Sequence, residues 1–283
     1  KNFRTIASRA DVALSLLKMA TPGPKKQFEI TIRGKDKVPL EFENQAHEEF
    51  FDKLQQMKAF NDWCNTLDHE FIVKKLIVQS IDMFGARMGF VKFKGDITDE
   101  QGRVIPSIVF MRGASVGMLI VITCEEDKKQ YTILTVQPRV PCGKYALEEL
   151  PAGMLDSSGS FVGAAAKELQ EETGLTVKEK DLIDLTEKAF KGSAYNHVYP
   201  SAGGSDEILR LFLYQTKMPK AKLEELEGKC TGVLEEGENI KLKIISLHEL
   251  WRAAPDVKAL SALCIYENLL ARRELPIDYI TGL

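Results

Sequence analysis

The sequence predicts an α/β fold: an α/β/α sandwich with a mixed sheet, preceded by a smaller α+β domain at the N-terminus. Apolar, strand-like segments lie on both sides of one helical segment, 161–173, and an amphipathic helix follows them at 256–272. The chain has 283 residues, of which 44% are hydrophobic, so it can bury a core without a disulfide scaffold. We expect two domains, 1–112 and 113–283.

The first 112 residues carry strand and helix patterns but no set of side chains suited to catalysis. Residues 4–20 have the spacing of a short amphipathic helix, and a Pro/Gly breaker from Thr21 to Lys26 follows. The expected strands are 28–33, 73–84, 89–97 and 104–111, the last two forming a hairpin. Residues 44–67 predict one long helix, whose aromatic residues at helical spacing indicate core packing. We therefore assign this domain to packing, dimerisation or substrate shaping.

The remaining residues alternate between apolar runs and amphipathic stretches, separated by charged turns. Strands are expected at 116–124, 131–137, 181–189, 208–216 and 240–245, and residues 145–150 lead into the helical segment and its preceding turn. Helices are expected at 161–173, 220–227, 247–253 and 256–272. For the first of these, Ser160 is the expected N-cap and Gly174 the residue that ends the helix. This order of strands and helices is typical of a layered α/β domain.

Charge and cysteine content exclude several classes of protein. The formal net charge is −3, with both signs interspersed, which argues against nucleic acid or an acidic membrane as the main partner. The longest apolar run, 116–123, is too short to cross a bilayer, so we expect no membrane partner. The five cysteines form no C-x-x-C pair, which indicates a reducing compartment.

Three carboxylates are expected on one face of the helix at 161–173. Glu168, Glu171 and Glu172 are spaced i, i+3, i+4. On a solvated helix their mutual repulsion costs only about 0.2–0.5 kcal/mol per pair, so an ordinary acidic surface helix is one interpretation. Beside a turn rich in Gly and Pro, oxygen ligands at this density suit a hard cation such as Mg²⁺ or Mn²⁺.

The segment that contains these residues resembles the Nudix box, G-x5-E-x7-R-E-U-x-E-E-x-G-U, in which U is aliphatic. The matching residues are Gly153, Glu168, Leu169, Glu171, Glu172, Gly174 and Leu175. Gly159 stands where the first Glu belongs, and Lys167 stands where the Arg belongs. In the family these two positions mainly brace the loop and helix. The resemblance therefore implies a Nudix fold with its metal-binding carboxylates kept, a looser turn, and activity that is retained, reduced or absent.

The resemblance also implies the metal ligands. Glu168, Glu171 and Glu172 bind the metal in this reading, with Glu171 and Glu172 as the expected direct ligands. The backbone carbonyl of Ala152 joins them, as the residue before the box glycine does in ADP-ribose pyrophosphatases. Glu149 is either a further ligand or a partly buried acid bonded to a backbone N–H.

A second loop, 199–207, resembles the Pro-Ser-Pro-Gly-(x)n-Glu loop of ADP-ribose and ADP-sugar pyrophosphatases. The match makes Glu207 the expected general base, with Asp206 as its neighbouring alternative. The glycines would let the loop move over a substrate. A plain turn into the strand at 208–216 is the competing interpretation. We take Glu207 and Glu171 as the expected catalytic residues.

Arg139 and Tyr195 are the expected substrate-binding residues. An Arg at the place matching Arg139 contacts the substrate in this subfamily, and a guanidinium suits a diphosphate; a structural salt bridge is the alternative. Tyr195, like Tyr145 and His197, suits stacking on a base or contact with ribose, and packing is the alternative for each.

Segments outside the box resemble the plant plastid ADP-sugar diphosphatases over roughly residues 70–275. They are 82–90, 139–144, 149–156 and 249–252. The resemblance implies Mg²⁺-dependent cleavage of ADP-glucose or ADP-ribose to AMP and a sugar phosphate, in a plastid. It also implies a homodimer in which N-terminal strands help to complete the active sites. A UDP-sugar or dinucleotide hydrolase, and a nucleotide-sugar binding protein without turnover, are the alternatives.

Overall fold

The computed structural model describes residues 26–155, 160–232 and 239–276. These residues form two compact units, one up to Phe110 and one from Met111 onward. The helix predicted at 4–20, most of the breaker that follows it, and Gly159 lie outside the described residues. Among the helices in the described ranges, none is long and apolar enough to cross a membrane.

The N-terminal unit is built on a five-stranded sheet whose strands follow chain order. The strands are β1 (Phe28–Ile32), β2 (Asp36–Phe42), β3 (Ile72–Phe84), β4 (Arg87–Thr98) and β5 (Ile108–Met111). Strands β2 and β3 are parallel, whereas β1–β2 and β3–β4 are antiparallel. The sequence patterns did not predict β2, because Pro39 and its charged neighbours weaken the alternation there.

The prediction of a single long helix at 44–67 is wrong. The chain forms a 3₁₀ turn (Gln45–Phe50) and two short helices, α1 (Phe51–Gln56) and α2 (Lys58–Thr66). Met57 has φ −67° and ψ 115°, an extended conformation that interrupts the helix. The aromatic residues nevertheless pack as predicted: Phe60 is buried, and its ring meets that of Phe93 edge-on at 6.0 Å.

The C-terminal unit contains an eight-stranded mixed sheet, of order β10-β11-β6-β7-β13-β12, with β8 paired to β7 and β9 paired to β6. Its strands are β6 (Ser115–Cys124), β7 (Gln130–Arg139), β8 (Lys144–Glu149), β9 (Ala152–Met154), β10 (Leu182–Asp184), β11 (Leu209–Met218), β12 (Cys230–Thr231) and β13 (Ile240–Ser246). Strand β6 is central and buried at every position. It runs parallel to β11 and antiparallel to β7.

Helices cover both faces of this sheet. They are α3 (Phe161–Thr173), α4 (Leu185–Ala189), α5 (Lys220–Leu226), α6 (Leu250–Ala253) and α7 (Val257–Ala271). Alternate residues of β6 point to opposite faces. Met118 and Ile120 pack with residues of α3 and α5, whereas Leu119 and Val121 pack with residues of α6 and α7. The predicted α/β/α sandwich with a mixed sheet is therefore confirmed.

The strand predicted at 181–189 is only three residues long, because Asp184 caps a helix. Its side chain accepts a hydrogen bond from the N–H of Glu187 at 2.7 Å, and α4 begins at Leu185. The apolar residues of this stretch still point inward, with Leu185 fully buried.

The central strands separate toward the first half of β6, and this separation positions the site. β6 and β7 pair only at Ile122 and Thr123. Further along, β7 takes β8 as its partner, and β6 takes β9 instead. The chain therefore passes from β8 to β9 through the opening, and the box segment, residues 153–175, starts there.

Candidate active site

Helix α3 is fixed at both ends by residues that the sequence patterns identify as caps. The Ser160 hydroxyl oxygen accepts a hydrogen bond from the N–H of Gly163 at 3.1 Å. At the other end Gly174 adopts φ +73°, a left-handed conformation that glycine reaches at low cost, and its N–H donates to the Gln170 carbonyl at 2.9 Å. Leu169 is fully buried against the sheet. This packing sets the rotation of the helix and the direction of its carboxylates.

The Glu168 carboxyl group lies directly against Gly153. A Cβ atom on residue 153 would come within 1.9 Å of the Glu168 carboxyl carbon and of Oε1. Any larger residue at position 153 would therefore force the end of the Glu168 side chain to move. The first and the later part of the box segment are thus in direct contact, and the Glu168 carboxylate lies on the backbone of β9.

Glu172 is also directed at β9. Its side chain is 3% exposed, and its Oε2 accepts a hydrogen bond from the N–H of Ala152 at 2.8 Å. Glu171, one residue earlier, is partly exposed and pairs with the Lys167 ammonium at 3.4 Å. Helix α3 therefore brings Glu168 and Glu172 to the side where Ala152 and Gly153 lie.

The donor chemistry of this region fits a hard divalent cation. Carboxylate oxygens and the Ala152 carbonyl are the ligand types that Mg²⁺ and Mn²⁺ prefer. Within residues 26–155, 160–232 and 239–276, no three His, Cys, Asp or Glu side chains already converge on one metal position. Glu171 is engaged by Lys167, so a cation bound there competes with this ammonium group.

Glu207 is attached to the start of β6. Its Oε1 accepts a hydrogen bond from the Ser115 hydroxyl at 2.8 Å, and its Oε2 lies 3.6 Å from the Arg112 guanidinium. Ser115 is the register partner of Met154 in β9. The expected general base and the start of the box segment therefore lie on the same end of one strand.

The carboxylate of Asp206 bonds to the backbone that leads into β6. Its carboxylate accepts hydrogen bonds from the backbone N–H groups of Arg112 (2.8 Å) and Gly113 (3.1 Å). Burial raises the pKa of Asp206, and these backbone bonds offset the rise only in part. The contacts suit an anchor for the 199–207 loop.

Arg139 and Glu149 form a close pair. The Arg139 Nε donates to Glu149 Oε2 at 2.6 Å, so the salt bridge considered for Arg139 is present. Lys258, from α7, donates to the other oxygen of Glu149 at 3.0 Å. Burial alone would raise the pKa of Glu149, but Lys258 and Arg139 outweigh it and leave this pKa below its ordinary value. Glu149 therefore bonds to side-chain cations and not to a backbone N–H in this structure.

The aromatic residues near the 199–207 loop form a small ring cluster. Tyr195 is 55% exposed, and its ring centroid lies 6.2 Å from that of His197 and 6.3 Å from that of Tyr199. Burial and the nearby Arg210 lower the pKa of His197. Tyr145 lies apart from this cluster in sequence, on β8, and is 85% exposed. Tyr195 thus combines packing on one side with an exposed ring face.

Comparison with known proteins identifies the family. The NUDIX domain family matches residues 111–264, more than half of the chain. The chain belongs to the Nudix family. The predicted resemblance of the box segment to the Nudix family is therefore confirmed.

The chain is also similar to two curated proteins and to one solved structure. The chain is 44% identical over 225 residues to Nudix hydrolase 14, chloroplastic, of Arabidopsis thaliana, covering 76% of this chain and 71% of that protein. It is 29% identical over 158 residues to an ADP-ribose pyrophosphatase of Bacillus subtilis, covering 56% of this chain and 77% of that protein. A solved structure titled "Crystal structure of ADP compounds hydrolase" superposes with a TM-score of 0.45 at 15% identity, covering 71% of this chain and 97% of the other.

Four residues of this Nudix site were missed by sequence reasoning. They are Arg112, Ser115, Asp256 and Lys258. Arg112 and Ser115 hold Glu207, and the other two hold Glu149 and its strand. The sequence offers no spacing that links them to the box segment, because each comes from a distant part of the chain.

Proposed function

We propose that this chain is a divalent-metal-dependent hydrolase of a nucleoside diphosphate sugar. ADP-glucose or ADP-ribose is the substrate, AMP and a sugar phosphate are the products, and Mg²⁺ or Mn²⁺ is the metal. The observation that supports the proposal is the packing of Glu168 on Gly153, with Glu172 bonded to Ala152, because two of the three box carboxylates meet one backbone segment. The names of the two curated relatives support the reaction type.

The residues have distinct roles in this proposal. Glu168, Glu171 and Glu172, with the Ala152 carbonyl, hold the metal, which supplies charge neutralisation on the diphosphate when bound. Glu207 accepts a proton from the attacking water. Its carboxylate suits this role because Ser115 orients it while the side chain keeps 15% of its surface exposed.

Arg139 and Tyr195 bind the substrate in this proposal. Arg139 keeps 39% of its side chain exposed beside the β8–β9 segment, so its guanidinium is accessible to a diphosphate. The exposed ring face of Tyr195 suits a base or ribose.

The assembly and location are further parts of the proposal. Residues 1–112 form a dimerisation or substrate-shaping domain, and 113–283 form the hydrolase domain. The N-terminal sheet of the unit up to Phe110 offers exposed apolar side chains, among them Ile108 (61%) and Phe110 (40%), which suit a homodimer contact. The chloroplastic relative supports a plastid location and a reducing compartment, and all five cysteines are free.

The test is release of AMP from ADP-glucose and ADP-ribose, and of UMP from UDP-glucose, with Mg²⁺ or Mn²⁺. We expect metal-dependent turnover that Glu172→Gln abolishes. The matched control is Glu267→Gln, a change of the same chemistry at an exposed position on α7. Equal loss in both variants, or turnover that survives Glu172→Gln, refutes the assignment. Preference for UDP-glucose changes the substrate and leaves the reaction type standing.

A binding protein without turnover is the second candidate, and one contact favours it. Lys167 occupies the box position of an Arg and pairs with Glu171, an expected metal ligand. If that pair persists with substrate bound, the metal site is incomplete. An increase of the melting temperature with ADP-glucose, together with no product from any of the three substrates, would establish this second function.

A further inference from the structure

Four charged side chains form a continuous chain of contacts between α7 and β7. Glu149 uses Oε2 for Arg139 (2.6 Å) and Oε1 for Lys258 (3.0 Å). Lys258 also donates to Asp256 Oδ1 at 3.0 Å, and Asp256 Oδ2 accepts from the backbone N–H of Leu150 at 3.2 Å. The last helix therefore holds both the side chain of Glu149 and the backbone that leads to β9.

The aliphatic part of Lys258 passes close to Gly117 of β6. A Cβ atom on Gly117 would lie 3.4 Å from Lys258 Cδ, which is an ordinary contact distance. Gly117 is the register partner of Ala152. Lys258 therefore lies beside the strand that pairs with β9, and its side chain is only 15% exposed.

The contacts leave Arg139 attached by a single point. Its Nε is the only donor nitrogen that bonds to Glu149, and its two terminal nitrogens make no hydrogen bond to any residue in the described ranges. Arginine and carboxylate groups favour a bidentate fork when both oxygens are accessible. In this chain Lys258 already occupies the second oxygen of Glu149.

We propose that Lys258 is a positioning residue for Arg139. By occupying Oε1 of Glu149, it restricts that carboxylate to a one-point contact with Arg139 and leaves the terminal nitrogens directed to the diphosphate of the substrate. Asp256 in turn holds Lys258 in place. The proposal rests on the proposed function of the site and adds a determinant of substrate affinity on the C-terminal helix, outside the box segment.

A purely structural role of Lys258 makes a different prediction. Loss of folding lowers the amount of active protein, which decreases kcat and leaves KM unchanged. Loss of positioning instead lets Arg139 close on both oxygens of Glu149, so substrate binding weakens while the metal-binding carboxylates stay intact. The ratio between the changes in KM and in kcat therefore separates the two roles.

The experiment compares KM and kcat for ADP-ribose among Lys258→Met, Lys258→Arg and the double variant Lys258→Met/Asp256→Asn. We expect Lys258→Met to raise KM about tenfold, as loss of one charge-assisted hydrogen bond would, with kcat changed less than twofold. Lys258→Arg restores KM, because a guanidinium also reaches both carboxylates. The double variant keeps the high KM. It restores the net charge of the cluster but leaves Oε1 of Glu149 without the ammonium donor. Lys222→Met, which removes an exposed lysine paired with Glu225, is the control.

Failure of the proposal and failure of the proposed function are distinguishable. The same variants are titrated calorimetrically with ADP-ribose without added metal, where no turnover is required. A wild-type chain that binds but does not hydrolyse ADP-ribose refutes the hydrolase, and a tenfold weaker Kd in Lys258→Met still supports the positioning role. The positioning role is overturned by an unchanged KM and Kd in Lys258→Met, or by a normal KM in the double variant. A wild-type chain that does not bind ADP-ribose overturns both.

Discussion

Replacing Gly153 by alanine tests the central contact of the proposed metal site. The added Cβ would lie 1.9 Å from the Glu168 carboxyl group, whereas ordinary contact begins at 3.4 Å. The two groups must therefore separate by about 1.5 Å. The backbone of residue 153 itself tolerates alanine, because its φ lies outside the left-handed range that requires glycine.

The size of the effect follows from this displacement. A shift of about 1 Å in a positioned catalytic group lowers the rate about 100-fold, so we expect kcat/KM to fall by at least that factor. Overpacking destabilises a fold by about 1–3 kcal/mol, and we expect about 1 kcal/mol because the end of the Glu168 side chain can move. If Glu168 is first shortened to alanine, the obstacle is gone, and Gly153→Ala then stabilises the chain by about 0.4–1 kcal/mol through the unfolded state.

Urea unfolding followed by circular dichroism, on the wild type, both single variants and the double variant, measures this change of sign. Turnover of ADP-ribose is measured on the same four proteins. Gly153→Ala is expected to destabilise the wild type and to stabilise Glu168→Ala. An equal free-energy change of unfolding in both backgrounds would show that Gly153 is not constrained by Glu168, and the reasoning would fail.

Three further predictions concern single charged groups. Glu149→Gln should cost about 1.5–3 kcal/mol at neutral pH, because Lys258 and Arg139 each lose a charged hydrogen-bond partner while Asp256 still pairs with Lys258. The folded pKa of Glu149 lies below its ordinary 4.5, so the cost should vanish as pH falls through that folded pKa. A deficit that does not change with pH contradicts this. Asp206→Asn should have the opposite effect. Because the folded pKa of Asp206 is raised, the wild type loses stability as pH rises through it, so the variant should melt at a higher temperature than the wild type at pH 7 and at the same temperature in acid. A lower melting temperature of the variant at pH 7 opposes this assignment. Lys167→Ala releases Glu171, so the Mg²⁺ concentration for half-maximal activity should decrease, and an unchanged or higher value counts against competition between the ammonium group and the metal.

The sequence was sufficient where a pattern is local. The period of apolar residues identified β6, β11 and the helices α3 and α7, because burial of one face is a local requirement. Ser160 and Gly174 identified the ends of α3, since caps are set by side-chain chemistry and by φ. The sequence was insufficient at Met57, where an extended residue divides one helical pattern into two helices. Apolar spacing continues across that break, so it carries no sign of the change in backbone direction.

Part of the candidate site could also be predicted from the sequence. Helical spacing places Glu168 and Glu172 on one face, and the box pattern indicates that Gly153 belongs with them. The pattern does not state why a glycine is needed. The structure supplies the reason, which is the direct contact between Glu168 and the backbone of residue 153.

The sequence by itself thus determined the family, the layered fold and the residues of the box segment, because these depend on spacing within short stretches. Only the tertiary structure decided the surroundings of Glu149 and Glu207. Ser115 meets Glu207 across 92 positions of the chain, and Lys258 meets Glu149 across 109. No local pattern encodes such pairs, since they form only when the packing of α7 and the register of β6 bring distant charges together.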